Sequence, residues 1–286
     1  MVTWMIEIAI VILLFFVVII IVDTNRFVII EQEIYSPKVQ KDYSFVVLSD
    51  LHNKSYGKNN KRLMKAIQRL KPDSVIVAGD MITGKKGDGY QNAISLMEGL
   101  ALDYPIFYGN GNHEYRMRMN PEYYGSMYDD YVSQLNRSGV ALLMNKKKDL
   151  LQENIVIHGL EIDRKYFNKF KVPPMEDSYL EKLLGKTDQK KFQILIAHNP
   201  DFFPKYAKWG ADLVLSGHIH GGVINLPFLG GVISPTFHLF PKYDGGLYEI
   251  GKSKMILSRG LGTHTVPIRM FNPGEVIFVK LKMGEK

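Results

Sequence analysis

The chain has 286 residues, of which 46% are hydrophobic and 23% are charged, as is usual for a globular protein. It contains no cysteine, which excludes disulfides, thiolate ligands for a metal and a cysteine nucleophile. Lysine and arginine exceed aspartate and glutamate by 36 to 29, so the net charge is +7. Because no nucleic-acid-binding motif accompanies this charge, we expect no nucleic-acid partner. The charge instead favours attraction to an anionic membrane surface or an anionic substrate.

The first segment of the chain is an unbroken apolar run over residues 8–22. The run extends back to Trp4, interrupted by Glu7, and a helix of that length reaches roughly 28 Å, close to the thickness of the hydrocarbon core of a bilayer. A cleaved signal peptide is the alternative. It requires a basic start and a small-residue cleavage site, and neither is visible. We therefore predict a single-pass membrane anchor over residues 1–23.

The positive charges nearest the predicted span lie on its C-terminal side, at Arg26, Lys38 and Lys41. The positive-inside rule then favours a cytoplasmic position for the rest of the chain. Three charges are only a small bias, so the sequence does not decide on which side of the membrane the rest of the chain lies. We interpret residues 24–41 as a tether that contains a short strand, and residues 42–286 as one domain.

This domain alternates between short apolar stretches and stretches of helical length. Strands are predicted over 45–49, 74–78, 105–108, 140–144, 154–159, 192–197 and 212–216. Helices are predicted over 59–71, 90–101, 127–138, 177–186 and 201–208. After Gly245, closely spaced strands follow without helices, so we expect a second sheet that packs on the first. The pattern predicts an α/β fold, with a two-sheet β-sandwich flanked by α-helices.

Five of the predicted strands run into residues that can bind a metal. These residues are Asp50 and His52, Asp80, Asn112 and His113, His198, and His218 and His220. Because sites in open α/β sheets form just beyond the carboxyl ends of the strands, we expect these side chains to meet at one edge of one sheet. Carboxylate and imidazole ligands suit Mn²⁺, Fe and Zn²⁺, and Asp80 is the candidate bridge between two ions. Such a pair of ions lowers the pKa of a shared water and supplies hydroxide near neutral pH.

Six motifs carry a resemblance to a known family: SDLHN (49–53), GD (79–80), GNHE (111–114), AHNP (197–200), GHIHGG (217–222) and SRGLG (258–262). Through them the chain resembles the calcineurin-like metallophosphoesterases, specifically their small membrane-associated bacterial branch, over about 42–286. The resemblance implies the sandwich fold of that family and two divalent metal ions, Mn²⁺, Fe²⁺/Fe³⁺ or Zn²⁺. The ligands it implies are Asp50, His52 and His220 for the first ion, Asn112, His198 and His218 for the second, and Asp80 for both. It also implies that His113 faces the phosphoryl group, where it stabilises the transition state or protonates the leaving oxygen.

Four residues outside the implied ligand set carry separate expectations. Arg259 and His264 are candidates for contacts with the substrate, and a salt bridge or a solvated position is the alternative for Arg259. We expect His158 to be packed within its strand. Glu114 is expected to lie behind the ligands or on the surface.

The predicted function is that of a membrane-anchored phosphoesterase. Members of the branch it resembles are similar to enzymes that act on phosphodiesters or on the pyrophosphate of UDP-diacylglucosamine-type glycolipids, so a lipid-linked or envelope phosphate ester is the expected substrate. The apolar stretch 226–244 is expected to be a loop over the edge of the sandwich, with a lipid-contacting lip through Phe228 and Phe237 as the alternative. A protein phosphatase, a nuclease and a non-catalytic metal-binding scaffold are the alternative functions. No protein partner is evident.

Overall fold

The computed structural model describes residues 2–168, 172–222, 225–226, 230–231, 241–263 and 267–285. Two six-stranded sheets form its centre. The first contains β1 (Phe27–Ser36), β2 (Tyr43–Leu48), β3 (Ser74–Ala78), β4 (Ile106–Gly109), β5 (Ala141–Leu142) and β14 (Gly274–Met283), in the order β1-β14-β2-β3-β4-β5. The second contains β6 (Lys146–Leu150), β7 (Ile155–Leu160), β8 (Phe192–Ala197), β9 (Leu213–Ser216), β12 (Gly246–Ile250) and β13 (Ser253–Leu257), in the order β12-β13-β9-β8-β7-β6. The short strands β10 (Asn225–Leu226) and β11 (Gly230–Gly231) pair with each other.

The two sheets pack face to face through alternate side chains of their strands. Phe45 and Val47 of β2 share one buried cluster with Ile194 and Ile196 of β8. Because successive side chains of a strand point to opposite faces, Val46 of β2 belongs to a different cluster on the outer face. The predicted two-sheet sandwich is therefore confirmed, with its main core between the sheets.

Helices cover the outer face of each sheet, as predicted. On the first sheet lie α2 (Lys61–Leu70), α3 (Gln91–Ala101), α4 (Asn112–Met119), α5 (Pro121–Tyr124) and α6 (Met127–Arg137). On the second lie α7 (Tyr179–Leu184) and α8 (Phe203–Trp209). Short 3-10 turns occupy Lys58–Asn60, Arg164–Phe167 and Pro200–Phe202.

The N-terminal helix α1 (Val2–Asn25) leads almost directly into β1. Within the described residues it is the one helix that is long and apolar enough to cross a membrane, over Thr3–Asn25. β1 pairs in parallel with β14 from Phe27 opposite Gly274 to Ser36 opposite Met283. The strand predicted within 24–41 is thus the edge strand of the first sheet, so it ties α1 to the rest of the sandwich.

Two predictions about the sheets are wrong. The strands that precede the metal-binding residues do not share one sheet, because β2, β3 and β4 belong to the first and β8 and β9 to the second. The strands after Gly245 do not form a sheet of their own, because β12 and β13 extend the second sheet and β14 lies between β1 and β2 in the first. Local periodicity identifies a strand but not its partners, which here lie far away in the chain.

Candidate metal centre

The metal-binding residues lie in loops at the carboxyl ends of strands from both sheets. The loops after β2 and β3 run side by side, because the Asp50 N–H donates to the Gly79 carbonyl at 2.9 Å and the His52 N–H donates to the Asp80 carbonyl at 3.1 Å. The loop after β9 crosses to the first sheet, where the His218 N–H donates to both carboxylate oxygens of Asp50 at 3.1 Å. One end of the sandwich therefore gathers all of these loops.

The first cluster consists of Asp50, His52 and His220, whose ligand atoms lie within 4.8 Å of one another. The Nε2 atoms of His52 and His220 are 3.1 Å apart, and Nε2 of His220 is 3.2 Å from Oδ1 of Asp50. Adjacent ligands at right angles around an ion, each with a bond of about 2.1 Å, are about 3 Å apart. Two of the three distances match this spacing, and the third, from Nε2 of His52 to Oδ1 of Asp50, is 3.9 Å, which corresponds to a wider angle at a shared metal ion.

The second cluster consists of Asp80, His198 and His218. Nε2 of His198 is 3.0 Å from Oδ2 of Asp80 and 3.8 Å from Oδ1 of Asp50, so the two clusters are neighbours. Asn112 begins α4 beside them, and its buried Oδ1 accepts no hydrogen bond from the described residues. A buried amide oxygen without a donor is suited to a cation.

Glycines next to the two carboxylates permit this convergence. A Cβ atom on Gly111 would lie 2.2 Å from Oδ1 of Asp80, and one on Gly217 would lie 2.2 Å from Oδ2 of Asp50. Both distances are far inside van der Waals contact, so any larger residue would push the carboxylates out of place. Gly111 and Gly217, the first residues of the GNHE and GHIHGG motifs, therefore allow the loops to approach each other closely.

Backbone strain is concentrated at the same residues. Five of them adopt a left-handed conformation with φ between 48° and 76°: Asp50, His52, Asp80, His218 and His220. This conformation is uncommon for residues other than glycine and costs about 1–3 kcal/mol at each position. Hydrogen bonds between the loops hold three of these residues in place, through the backbone N–H groups of Asp50, His52 and His218.

The charges of the site favour cations. Burial by itself raises the pKa of Asp50, but the imidazoles of His220 and His198 lower it well below its usual range. Burial likewise opposes protonation of His198, yet the carboxylates of Asp80 and Asp50 raise its pKa to about 10. Burial lowers the pKa of His218 to about 3, so this imidazole stays neutral, as a metal ligand must be. Two buried carboxylates in one site require positive charge nearby.

The orientation of His198 supports the same conclusion. Its Nδ1 lies 2.6 Å from the carbonyl oxygen of Ala78. Because a carbonyl can only accept, Nδ1 carries a hydrogen. Nε2 faces the carboxylates of Asp80 and Asp50, which favour a proton there, and a metal ion bound by the cluster would take the place of that proton. Metal-ligating histidines usually donate their second N–H in this way. The residues present therefore fit a pair of divalent metal ions.

His113 lies between the two clusters. Its ring centroid is 4.8 Å from that of His52, and its Nε2 is 3.8 Å from Oδ2 of Asp80. Its Nδ1 is hydrogen bonded to the carbonyl oxygen of Thr83. Its backbone N–H donates to Oδ1 of Asp80 at 2.8 Å. Since the Thr83 carbonyl accepts, Nδ1 carries the hydrogen and Nε2 is the atom that can give or take a proton at the site.

Glu114 has a larger part in the site than the sequence indicated. It is fully buried, and burial followed by the charge of Asp80 raises its pKa to about 7. Oε2 accepts from the N–H groups of Asp80 and Gly111 at 3.0 Å, and Oε1 accepts from the N–H of Met81 at 2.8 Å. The hydroxyl of Tyr108 donates to Oε1 at 2.9 Å. Glu114 thus holds the loops after β3 and β4 together directly behind Asp80.

Substitution of Glu114 with glutamine is expected to lower the free energy of unfolding by about 2–4 kcal/mol, because the new NH₂ group would face backbone donors that then lose their acceptor. Thermal melting of the variant measures the loss. The matched control is Glu122→Gln, which changes an exposed glutamate of α5 and should melt like wild type. A Glu114→Gln protein with wild-type melting would contradict this role.

The remaining candidates are not members of the two clusters or lie outside the described residues. Arg259 is paired with Glu275, whose Oε1 is 3.6 Å from its Nε, in agreement with the salt-bridge alternative. His158 is buried in β7, where Nε2 lies 2.9 Å from Oε1 of Gln193, as expected for a packed residue. His264 lies outside the described residues. So do Phe228 and Phe237 of the predicted loop.

Ser49 and Thr83 are two contacts of the site that the sequence reasoning did not find. The Ser49 hydroxyl is hydrogen bonded to Oδ2 of Asp50 and, at 3.2 Å, to the carbonyl of Ala78. Thr83 acts only through its backbone carbonyl, which leaves no signal in the sequence. Ser49 begins the SDLHN motif, so its place next to Asp50 was the one available hint.

Comparisons with known proteins agree with this geometry. The family described as Calcineurin-like phosphoesterase matches residues 43–222. A metallophosphoesterase of Campylobacter jejuni is 31% identical over 89% of this chain, which covers 63% of that relative's length. The metallophosphoesterase YkuE of Bacillus subtilis is 28% identical over 84% of this chain and 79% of its own length. A transmembrane protein with a metallophosphoesterase domain from Danio rerio is 23% identical over 87% of this chain and 55% of its own length. The chain therefore belongs to the calcineurin-like phosphoesterases, a family of metal-dependent phosphoester hydrolases.

Proposed function

We propose that this protein is a membrane-anchored phosphoesterase with a dinuclear metal site. The observation that carries the proposal is the pair of adjacent histidine–carboxylate clusters, each with ligand atoms within 4.8 Å. In this proposal Asp50, His52 and His220 hold one ion. Asn112, His198 and His218 hold the other. Asp80 lies between the clusters and serves both.

Bound divalent ions supply an activated water near neutral pH and offset negative charge on phosphoryl oxygens. The protein contributes fixed geometry, because hydrogen bonds from the loops hold Asp50 and Asp80 in place before substrate arrives. As an imidazolium, His113 contributes a proton at Nε2, since the Thr83 carbonyl holds the hydrogen on its Nδ1. Burial lowers the pKa of His113, so the negative charge of the phosphoryl group is needed to favour this protonated form. A proton given to the leaving oxygen by Nε2 completes cleavage of the phosphate ester.

Membrane attachment is proposed from α1. The helix over Thr3–Asn25 has the length and composition of a membrane span, and the Danio rerio relative is described as a transmembrane protein. The last turn of α1 also touches the loops of the site. The Lys54 ammonium donates to the carbonyl of Thr24, and Lys54 follows His52 by only two residues. The backbone N–H of Arg269 donates to the hydroxyl of Thr24 at 3.1 Å.

This proximity favours a phosphate ester carried by the membrane as substrate. At most about 7 Å of chain separates the Cα atoms of His52 and Lys54. The catalytic loops would thus lie close to the surface where α1 leaves the bilayer. A lipid-linked or envelope phosphodiester or pyrophosphate, such as a UDP-diacylglucosamine-type glycolipid, is the substrate class we propose.

A side-by-side substrate screen tests this function. The full chain in lipid nanodiscs with Mn²⁺ should hydrolyse a phosphodiester or a nucleotide-sugar pyrophosphate faster than a monoester, and a chelator should abolish the activity until Mn²⁺ is restored. The same screen with a lipid-linked ester and its water-soluble analogue measures the preference for membrane substrates. Full activity in the presence of chelator would refute the metal site. Equal rates on both forms would refute the lipid preference alone.

A further inference from the structure

One face of the second half of α1 packs against the catalytic domain. Phe16 is 37% exposed and Asp23 only 3%, and the residues between them on that face, Ile19 and Ile20, are half-buried. Their neighbours on the other side of the helix are open, with Val18 57% exposed. The spacing of three to four residues is that of a single helical face. The domain therefore covers one face of α1 in part, along about 12 Å from Phe16 to Thr24.

One part of the domain that lies beside α1 is the segment 267–271. The ring of Phe271 makes an edge contact with the ring of Phe16, with centroids 6.5 Å apart. Pro267 and Ile268 are exposed, although both are apolar. Arg269, the next residue, is buried, and its backbone N–H donates to the hydroxyl of Thr24, which fixes the segment to the helix. An apolar surface thus continues from α1 onto the domain.

The length of α1 decides where this surface lies if the helix crosses a bilayer. The part of α1 that is apolar enough to cross a membrane is Thr3–Asn25, which is about 35 Å long. The hydrocarbon core is about 30 Å thick. The stretch from Phe16 to Val22 therefore lies within the span. The surface of the domain that packs on this stretch must then lie at the same depth.

We propose that the segment 267–271 is a second membrane contact, inserted among the lipids of the leaflet on which the catalytic domain sits. This inference rests on the membrane attachment proposed for α1. It commits to lipid acyl chains and headgroups as the occupant of the exposed face of Pro267, Ile268 and Phe271. The buried guanidinium of Arg269 links this contact to the site, since it donates to the carbonyls of Gly260 at 3.1 Å and Gly262 at 2.9 Å. The N–H of Gly262 in turn donates to the carbonyl of Asp50. The membrane contact is therefore joined to the loop that carries the first cluster.

Spin labels test the depth of this segment without reference to activity. Because the chain has no cysteine, a single substitution labels a single position. Ile268→Cys reports on the proposed contact and changes a residue that is already 37% exposed, so folding should be retained. Val11→Cys reports on the middle of α1. Leu151→Cys is the aqueous control, because Leu151 is 76% exposed and near the far end of β1, where the Gln40 N–H donates to the Glu153 carbonyl.

Each nitroxide is measured in nanodiscs for its accessibility to a water-soluble nickel chelate and to oxygen, which partitions into lipid. We expect the label at position 268 to lose most of its accessibility to nickel and to gain accessibility to oxygen, relative to the label at 151. A label at 268 that behaves like the one at 151, while the one at 11 is protected, would overturn the second contact and leave the anchor intact. A label at 11 that is open to nickel would instead refute the membrane span itself.

Discussion

Replacement of Asp80 with asparagine is expected to remove most of the turnover and to weaken the retention of metal. The change keeps the size of the side chain and leaves Oδ1 able to accept from the His113 N–H, now 2.8 Å away. It removes a buried negative charge that lies 3.0 Å from His198. Charge stabilisation of this kind is worth several kcal/mol, so a loss of about a hundredfold or more in kcat is expected.

Three measurements on purified Asp80→Asn protein separate the possible causes. Metal content after dialysis reports on retention, kcat reports on turnover, and a melting curve verifies that the variant is folded. Asp129→Asn is the matched control, because it changes an exposed aspartate in the first turn of α6. Wild-type turnover with a full complement of metal in Asp80→Asn would remove Asp80 from its proposed role between the clusters.

The positions of the site residues along their strands were readable from the sequence. A short apolar run marks a buried strand, and sites form beyond the carboxyl ends of strands, so Asp50, Asp80 and His198 could be expected to meet. Their meeting place spans two sheets, which the runs themselves do not reveal. β14 shows the reason: its partners β1 and β2 are more than 200 residues away, and no local pattern encodes that distance.

Among the elements that the sequence did not predict, β6 and α4 were missed for clear physical reasons. β6 reads KKKDL, and its three lysines are exposed because it is an edge strand, where charged side chains prevent further pairing. α4 begins within the GNHE motif, and its sequence NHEYRMRM has no apolar stripe at helical spacing. Neither β6 nor α4 could be predicted, because their sequences lack the apolar pattern that marks a buried strand or an amphipathic helix.

The burial of Glu114 could not be predicted from the residue type. Glutamate is seldom fully buried unless it is paired, and a sequence does not show which backbone donors will surround it. Here four donors converge on one carboxylate because two loops from neighbouring strands turn at the same point. The motif identified the place of Glu114 but not its contacts.

Replacement of His113 with asparagine should lower kcat by about 10²–10⁴, the usual contribution of a positioned acid or base. Metal content should stay unchanged, because the proposed ligands are other residues. The geometry allows a competing role, since the ligand atoms of His52, Asp80 and His113 also lie within 4.8 Å of one another. Loss of metal from His113→Asn would therefore identify His113 as a ligand and contradict its role as proton donor.

The loss of kcat in His113→Asn should depend on the leaving group of the ester, and this dependence distinguishes proton transfer from electrostatic stabilisation. An ester with a nitrophenol leaving group needs little protonation, whereas an ester with an alkyl alcohol leaving group depends on it. If Nε2 of His113 protonates the leaving oxygen, the loss in His113→Asn must be much larger for the alkyl ester. Equal losses of kcat on the two esters would show that His113 stabilises charge in the transition state and does not donate the proton. His158→Asn is the control, because it removes another buried imidazole, which is hydrogen bonded to Gln193. This variant should change the melting temperature but not the ratio of the rates on the two esters.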